Sequence, residues 1–493
     1  MAHSTVVSSP GKVLIAGGYL VLDPTYSGIV VSASSRFYTV ISDGQPTHIQ
    51  VRSPQFKAAT WSYSLSFFPS VQVEQAPEQT STNKFVHLAL KKTLALVAEI
   101  KGLSSLQDSL ARGLDIAIAG DNDFYSQRAR LASLHLPRTI TSLEFIEPFA
   151  ATGVSLSNVH KTGMGSSAAL ITSLVSALLL HLGAIPPSSF SDLGSDGRRL
   201  AHNLAQYVHC LAQGKVGSGF DVSSAVFGSH IYTRFAPDVL NDLMSDDSTS
   251  TPLLPVLSPL NDAWNYRVQP FQLPPLTRIM LADVDAGSDT PSLVGKVLKW
   301  RNQDSERANT LWTALDQLNQ SLAQTLIQIS NLYTKDPQSY ESAVKYISSL
   351  NHFQWLANPD APPEEMPVIS TFYAAHTISE SIREKMREMG SLADVPIEPE
   401  EQTTLLDTCI SQAGVIGGGV PGAGGYDAVW LLVLDPVDPS PDQPPRLRVE
   451  HVWETYSTVS PLSTVESLAK GARVEVLEHI KGLKEAVSQK SQA

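Results

Sequence analysis

The chain has 493 residues, of which 42% are hydrophobic and 17% charged, and its formal net charge is −13. That length fits two or three domains or one large two-lobed body with an ample core. The acidic balance disfavours nucleic acid and acidic membrane surfaces as partners, no run of 18 apolar residues offers a membrane span, and only two cysteines, Cys210 and Cys409, are present, too few for a disulfide or zinc framework.

The chain order predicts an α+β architecture. Residues 5–15 read as a strand interrupted at Pro10-Gly11, and Tyr19–Leu22 as a short apolar turn or helix. A second β-rich run covers 28–41, and Asp43-Gly44 is a hairpin turn signal leading into 47–53. Residues 84–101 have helical spacing, and 113–119 alternate as a strand. Helices are expected at 165–182 and 196–213. Residues 236–275 are rich in Pro, Ser, Asp and Leu without periodicity and read as a long loop or insertion. A strand at 277–284 opens the second half, followed by mostly helix from 291 to 390 and an acidic loop at 394–402. Helix is expected again at 404–416, a glycine-rich loop at 417–425, and a strong strand at 427–434. Five prolines mark 435–446 as surface loop, and a strand and an amphipathic helix close the chain within 447–486. Strands and helices do not alternate as βαβ units, so α+β is favoured over a doubly wound sheet. The division expected is residues 1–275, with the insertion at 236–275, and residues 276–493.

Three glycine-rich stretches carry the chemistry. Residues 161–171 read Lys-Thr-Gly-Met-Gly-Ser-Ser-Ala-Ala-Leu-Ile. Gly163, Gly165 and Ser166 run into an apolar helix whose N-terminal N–H groups and dipole suit phosphate. Glycine lets backbone approach phosphate oxygens closely, and Ser166 and Ser167 add hydroxyls. No Lys-Ser/Thr follows the last glycine, so this is not the P-loop pattern. The first stretch is Pro10-Gly11-Lys12 followed by Gly17-Gly18-Tyr19, and the third runs from Gly417 to Gly425. Their spread over the chain implies a site assembled in a cleft between two halves. In so acidic a chain, local cations must hold the phosphates, and Lys12, Lys161 and Lys215 are the candidates.

In order and content the three stretches resemble the galactokinase–homoserine kinase–mevalonate kinase–phosphomevalonate kinase superfamily, with Met164 where Leu is usual. Within it, Gly17–Leu22, Lys161-Thr162-Gly163, Asp121–Gln127 and Gly287–Val294 are similar to the eukaryotic, fungal-type phosphomevalonate kinase branch. The resemblance implies a two-lobed fold with ATP and acceptor in the cleft, and phosphorylation of mevalonate 5-phosphate to the 5-diphosphate. Mg²⁺ is the implied cofactor and ATP the co-substrate. A cytoplasmic enzyme is expected, with oligomeric state open between monomer and dimer.

The same resemblance implies the site residues. Lys12 and Asp221 are the catalytic pair; Asp221 could alternatively be a cap for the helix near Val222. The nucleotide falls to Lys161, Gly163, Met164, Gly165, Ser166, Ser167, Ala168 and Asn83, with Ser167 for the metal. Acceptor contacts fall to Gly18, Tyr19, Ser288, Thr290, Ser292, Gly422, Ala423 and Gly424, with Lys296 or Arg301 nearby. His209, Cys210 and Cys409 are expected to pack rather than react. Mevalonate kinase is disfavoured because Gly-Glu-His is missing after the first motif, and the related decarboxylase because Lys12 is present. A ligand-sensing kinase relative without turnover is the remaining alternative.

Overall fold

The structure, a computed structural model, describes residues 4–76, 81–245, 251–284, 290–357, 362–438, 443–468 and 470–488. Two long strands, β1 (Thr5–Ala16) and β2 (Gly28–Asp43), pair antiparallel at the centre of the larger sheet. The other strands of this sheet are β3 (His48–Arg52), β4 (Thr60–Ser66), β5 (Gln72–Gln75), β6 (Leu114–Gly120), β7 (His230–Thr233), β8 (Arg267–Pro270) and β13 (Arg473–Val474), in the order β13-β1-β2-β6-β3-β4-β5, with β7 paired to β2 and β8 to β7. Both faces of β1 and β2 are covered. Helix Ser166–His181 packs on one face, and Phe149 and the helix Leu483–Ser488 cover the other through Leu483, Ala486 and Val487. Both strands are accordingly buried along nearly their whole length, Ser8, Ser9, Ser32 and Arg36 included. The helix Ser166–His181 is itself buried on nearly all sides, as its largely apolar sequence requires.

Pro10 does not interrupt β1. It pairs with Arg36, and the register shifts between Pro10 and Lys12. A proline lacks the N–H for the ladder and is accommodated at such a bulge, which re-aims the next side chain. The Lys12 N–H leaves the ladder and donates to the Met164 carbonyl at 3.0 Å.

The smaller sheet, β10 (Val415–Gly419), β11 (Ala428–Leu434), β9 (Thr277–Val284) and β12 (Val459–Leu462), is antiparallel throughout. The long helices Ser305–Lys335 and Met366–Ala393 pack together, and Met366–Ala393 also lies against β10.

Several expectations change. Asp43-Gly44 does not join a hairpin, because β6 lies between β2 and β3 and pairs with β3 in parallel. Residues 236–275 are not an appended loop. Leu240, Leu243, Leu253, Leu257, Trp264, Phe271 and Leu273 are buried there, and β8 extends the sheet. Both Glu99 carboxylate oxygens cap this segment, accepting from the Leu253 and Leu254 N–H groups at 2.8 and 2.6 Å. Helix Glu400–Ile410 starts before residue 404, and Gly417–Gly419 belong to β10. The end of the chain holds a helix Pro445–Glu454, then β12, β13 and the short helix Leu483–Ser488, rather than a strand and one long helix. Near the other end of the described chain, β13 pairs antiparallel with β1 in the larger sheet.

Candidate active site

A cleft of about 570 Å³ lies where the three glycine stretches meet, lined by residues from both halves of the chain, including Lys12, Gly163, Asp221 and Gly422. The bulge in β1 presents Lys12. Its Nζ donates to the Gly163 carbonyl at 2.9 Å and sits 5.3 Å from the centre of the Phe220 ring. Burial pulls the Lys12 ammonium below the usual lysine range, and the Asp221 carboxylate pushes the other way. The side chain lies along Gly165, where a Cβ would come 3.0 Å from Lys12 Cε.

Gly165 precedes helix Ser166–His181 in the left-handed region, at φ 76° and ψ 37°. The first i→i−4 bond runs from the Ala169 N–H to the Gly165 carbonyl. The N–H groups of Ser166, Ser167 and Ala168 therefore point out of the helix start as donors for an anion. The Ala168 and Met164 side chains are buried, so these two residues offer backbone, not side chains. Ser167 Oγ lies 3.1 Å from His209 Nε2.

Asp221 is the second residue of the helix Phe220–Phe227, and Gly219 is its N-cap, so the capping alternative for Asp221 does not hold. The Asp221 Oδ1 accepts from the Val222 N–H at 2.9 Å, and Oδ2 lies 3.8 Å from His209 Nε2. The loop before it is held rigidly. Tyr232 OH donates to the Ser218 carbonyl at 2.8 Å and Arg234 donates to Gly217 at 2.7 Å. Lys215, on the same loop, also lines the cleft.

The first and third stretches interlock. A Cβ on Gly18 would come 2.4 Å from the Gly422 carbonyl oxygen. Tyr19, at φ 64°, donates its phenol to the Ala423 carbonyl at 2.7 Å. From behind, the Gly425 N–H donates to the Ile397 carbonyl at 2.8 Å. Glu398, next in sequence, is buried and accepts from both Arg383 and Arg387.

Other candidates lie elsewhere. Asn83 is a buried N-cap of the helix Lys84–Lys101, accepting from the Val86 N–H at 3.2 Å, and does not line the cleft. Lys161 is exposed and its backbone bridges to Tyr125. Ser288 lies outside the described residues. Thr290 starts the helix Thr290–Gln303, whose Val294 and Leu298 line the cleft; Ser292 is exposed in its first turn. Arg301 is committed elsewhere, paired with Asp23 at 2.6 Å and stacked 3.9 Å from the Trp312 ring centre. Lys296 lies 4.0 Å from Asp394. Sequence reasoning missed His209 as a site residue; it is 3% exposed and joins Ser167 to the neighbourhood of Asp221.

The Asp121–Gln127 run staples the segment that leads into Gly163. The Phe124 carbonyl accepts from the Thr162 N–H and the His160 carbonyl from Ser126. The Asp123 carboxylate ties Ser35 to Ser463. Asp121 accepts from the Arg36 N–H at 2.7 Å, yet burial, with Asp123 adding to it, pushes its carboxyl up to about 7. The folded protein thus binds this proton more tightly than an unfolded chain with an ordinary carboxyl near 3.8. Stability from this group is complete below that ordinary value and is lost as pH rises through about 7. Asp121→Asn keeps an acceptor without the charge. Its melting temperature should exceed the parent's at pH 8, with the gap closing toward pH 4; a gap independent of pH would contradict this.

Lys12, the helix start at Ser166 and the three glycine stretches thus come together around one cleft. A family described as "GHMP kinases C terminal" matches residues 375–448. A solved phosphomevalonate kinase from Streptococcus pneumoniae, in complex with phosphomevalonate and AMPPNP, superposes with a TM-score of 0.54 at 15% identity, covering 94% of this chain and 99% of that one. The Lin0012 protein of Listeria innocua superposes with a TM-score of 0.59 at 15% identity, covering 96% and 99%. These two likenesses establish the fold. In sequence, the chain is 39% identical to the peroxisomal phosphomevalonate kinase of Arabidopsis thaliana over 87% of this chain and 90% of the relative. It is 37% identical to the phosphomevalonate kinase of Gibberella zeae over 100% and 98%. The chain belongs to the phosphomevalonate kinase family.

Proposed function

We infer that this cleft transfers the γ-phosphoryl of ATP to the phosphate of mevalonate 5-phosphate, giving mevalonate 5-diphosphate and ADP. The observation that carries this reading is the family match along nearly the whole chain. The convergence of Lys12, Gly163, Asp221 and Gly422 on one cleft supports it. Reaction of the purified protein with ATP and mevalonate 5-phosphate tests it: ³¹P NMR should show the paired resonances of a diphosphate monoester. A cytoplasmic location belongs to the same reading, and imaging the chain against a peroxisomal marker checks it. No described helix is long and apolar enough to cross a membrane.

In the proposed arrangement the N–H groups of Ser166, Ser167 and Ala168 hold the ATP phosphates, and Lys12 neutralises charge between donor and acceptor. Phosphoryl transfer depends mainly on such positioning and charge stabilisation. Gly18, Tyr19 and the loop Gly422–Gly424 shape the acceptor side, with Lys215 as a second cation. Mg²⁺ fits the donor set. Among the described residues no cluster of three or more His, Cys, Asp or Glu could cage a metal, and Mg²⁺ typically takes one or two protein oxygens and completes its shell with phosphates and water. Ser167 would hold it. When bound, it supplies charge neutralisation at the β- and γ-phosphates.

A phosphate acceptor is largely dianionic at neutral pH, its second pKa being about 6, so it needs no base. Asp221 then acts on Lys12. Asp221→Asn should lower kcat by less than the roughly 10²-fold or more that loss of a general base costs. It should also move the alkaline limb of the pH–rate profile to lower pH, because the carboxylate that raises the Lys12 pKa is gone. A loss of 10³-fold or more, with the limb unmoved, would restore Asp221 as a base.

A further inference from the structure

The helix Asp196–Gln213 runs beneath the cleft, and its last turns place His209 between the two functional elements above. His209 Nε2 lies 3.1 Å from Ser167 Oγ, 3.2 Å from Gln213 Nε2 and 3.8 Å from Asp221 Oδ2. The imidazole is almost fully buried and its ring contacts Phe85 at 6.4 Å between centres. A buried polar ring with several polar neighbours at one nitrogen fixes their mutual orientation.

The chemistry at Nε2 is restrictive. A neutral imidazole nitrogen offers either one lone pair or one N–H, never both. As an acceptor, Nε2 cannot serve the Ser167 hydroxyl and the Gln213 amide together. As a donor, it has one proton to give, to Ser167 Oγ or to the Gln213 amide oxygen. The Gln213 amide adapts to either state by a half-turn that exchanges its oxygen and nitrogen. When that proton goes to Ser167, one Ser167 lone pair is taken by His209. The remaining lone pair and the hydroxyl proton are left for groups on the cleft side.

We propose that His209 is a positioning residue that orients the Ser167 hydroxyl through a hydrogen bond at Nε2 and couples the phosphate-loop helix to the Asp221 helix. It lines the cleft beside Gln213 and acts through Ser167. The idea rests on the reading of Ser167 as the magnesium-side ligand.

The test is a set of variants, His209→Leu, His209→Gln, Ser167→Ala and the double variant His209→Leu/Ser167→Ala. ADP binding is measured by calorimetry with Mg²⁺ and with EDTA, and melting temperatures check folding. His209→Leu should weaken Mg·ADP binding by about 10-fold and leave metal-free ADP affinity within about 2-fold, while His209→Gln, which retains an amide donor, recovers most of the loss. In the Ser167→Ala background the His209 change should have no further effect, since coupled residues are not additive. Equal losses in the Leu and Gln variants, or full additivity with Ser167→Ala, would overturn the proposal. If Ser167→Ala alone leaves the magnesium-dependent part of binding intact, it is the reading of Ser167 that falls, and the proposal with it. Should His209→Leu fail to fold, His209→Ala and its double variant with Ser167→Ala carry the same cycle.

Discussion

Lys12→Met is expected to lower kcat by about 10³-fold or more, with little change in melting temperature. The magnitude is that of removing a cation or donor that stabilises charge in phosphoryl or acyl transfer. The protein carries a net charge of −13, so the cleft has few cations to replace the one lost. Met retains the apolar stem that packs along Gly165, which is why stability should hold. Lys12→Arg should not rescue. The side chain already runs within 3.0–3.1 Å of where a Cβ on Gly165 would sit, and its amine is fixed on the Gly163 carbonyl. A planar guanidinium has a different shape and donor geometry from an ammonium. Steady-state kinetics of the two variants settle the matter, and a Met variant within 10-fold of the parent would contradict this role for Lys12.

Gly424→Ala is the second large effect expected. A Cβ there would come 2.1 Å from the Ile397 carbonyl oxygen, a backbone atom that cannot swing aside, and the residue sits at φ 77°. Left-handed backbone alone costs a non-glycine residue on the order of 1–2 kcal/mol; the clash adds to that and must move the loop. The displaced loop would carry Ala423 away from Tyr19, whose phenol donates to the Ala423 carbonyl. We expect kcat/KM for mevalonate 5-phosphate to fall by about 10²-fold or more, the scale associated with misplacing reactants by an ångström, while metal-free ADP binds as before. Gly422→Ala is the internal control. Its φ is similar at 67°, but a Cβ there meets nothing within 4 Å, so only the backbone strain applies. Equal kinetic losses at the two positions would show that strain, not collision with Ile397, governs the loop.

The sequence carried the local features of this protein better than its long-range ones. The helix at Lys84–Lys101 was legible from its spacing and ends where the spacing ends. The three glycine stretches were legible because each needs short-range backbone freedom, and Gly163, Gly165, Gly422 and Gly424 all adopt positive φ. The insertion of β6 between β2 and β3 was not legible, since Asp43-Gly44 carries the same turn chemistry whether or not the strands it joins are paired. Residues 236–275 misled for another reason. Their apolar side chains are buried singly in short turns, which leaves no period of 2 or 3.6 to detect. The bulge at Pro10 shows the reverse case, where a residue that reads as a break is the device that aims Lys12. His209 had one available signal. The helix Asp196–Gln213 buries Arg198, His202, Asn203, Gln206 and His209 among its apolar positions, and buried polar groups demand partners. The identity of those partners, Ser167 and Asp221, lay 42 and 12 positions away in the chain and came only with the fold.

The decisive measurement is magnesium-dependent ADP release by the purified protein, run in parallel with mevalonate 5-phosphate and with mevalonate. Turnover with the phosphorylated acid and none with mevalonate is the predicted result. Turnover with mevalonate alone would contradict the assignment and return Asp221 to the role of base, and nucleotide binding without turnover on either acid would leave a sensor rather than an enzyme.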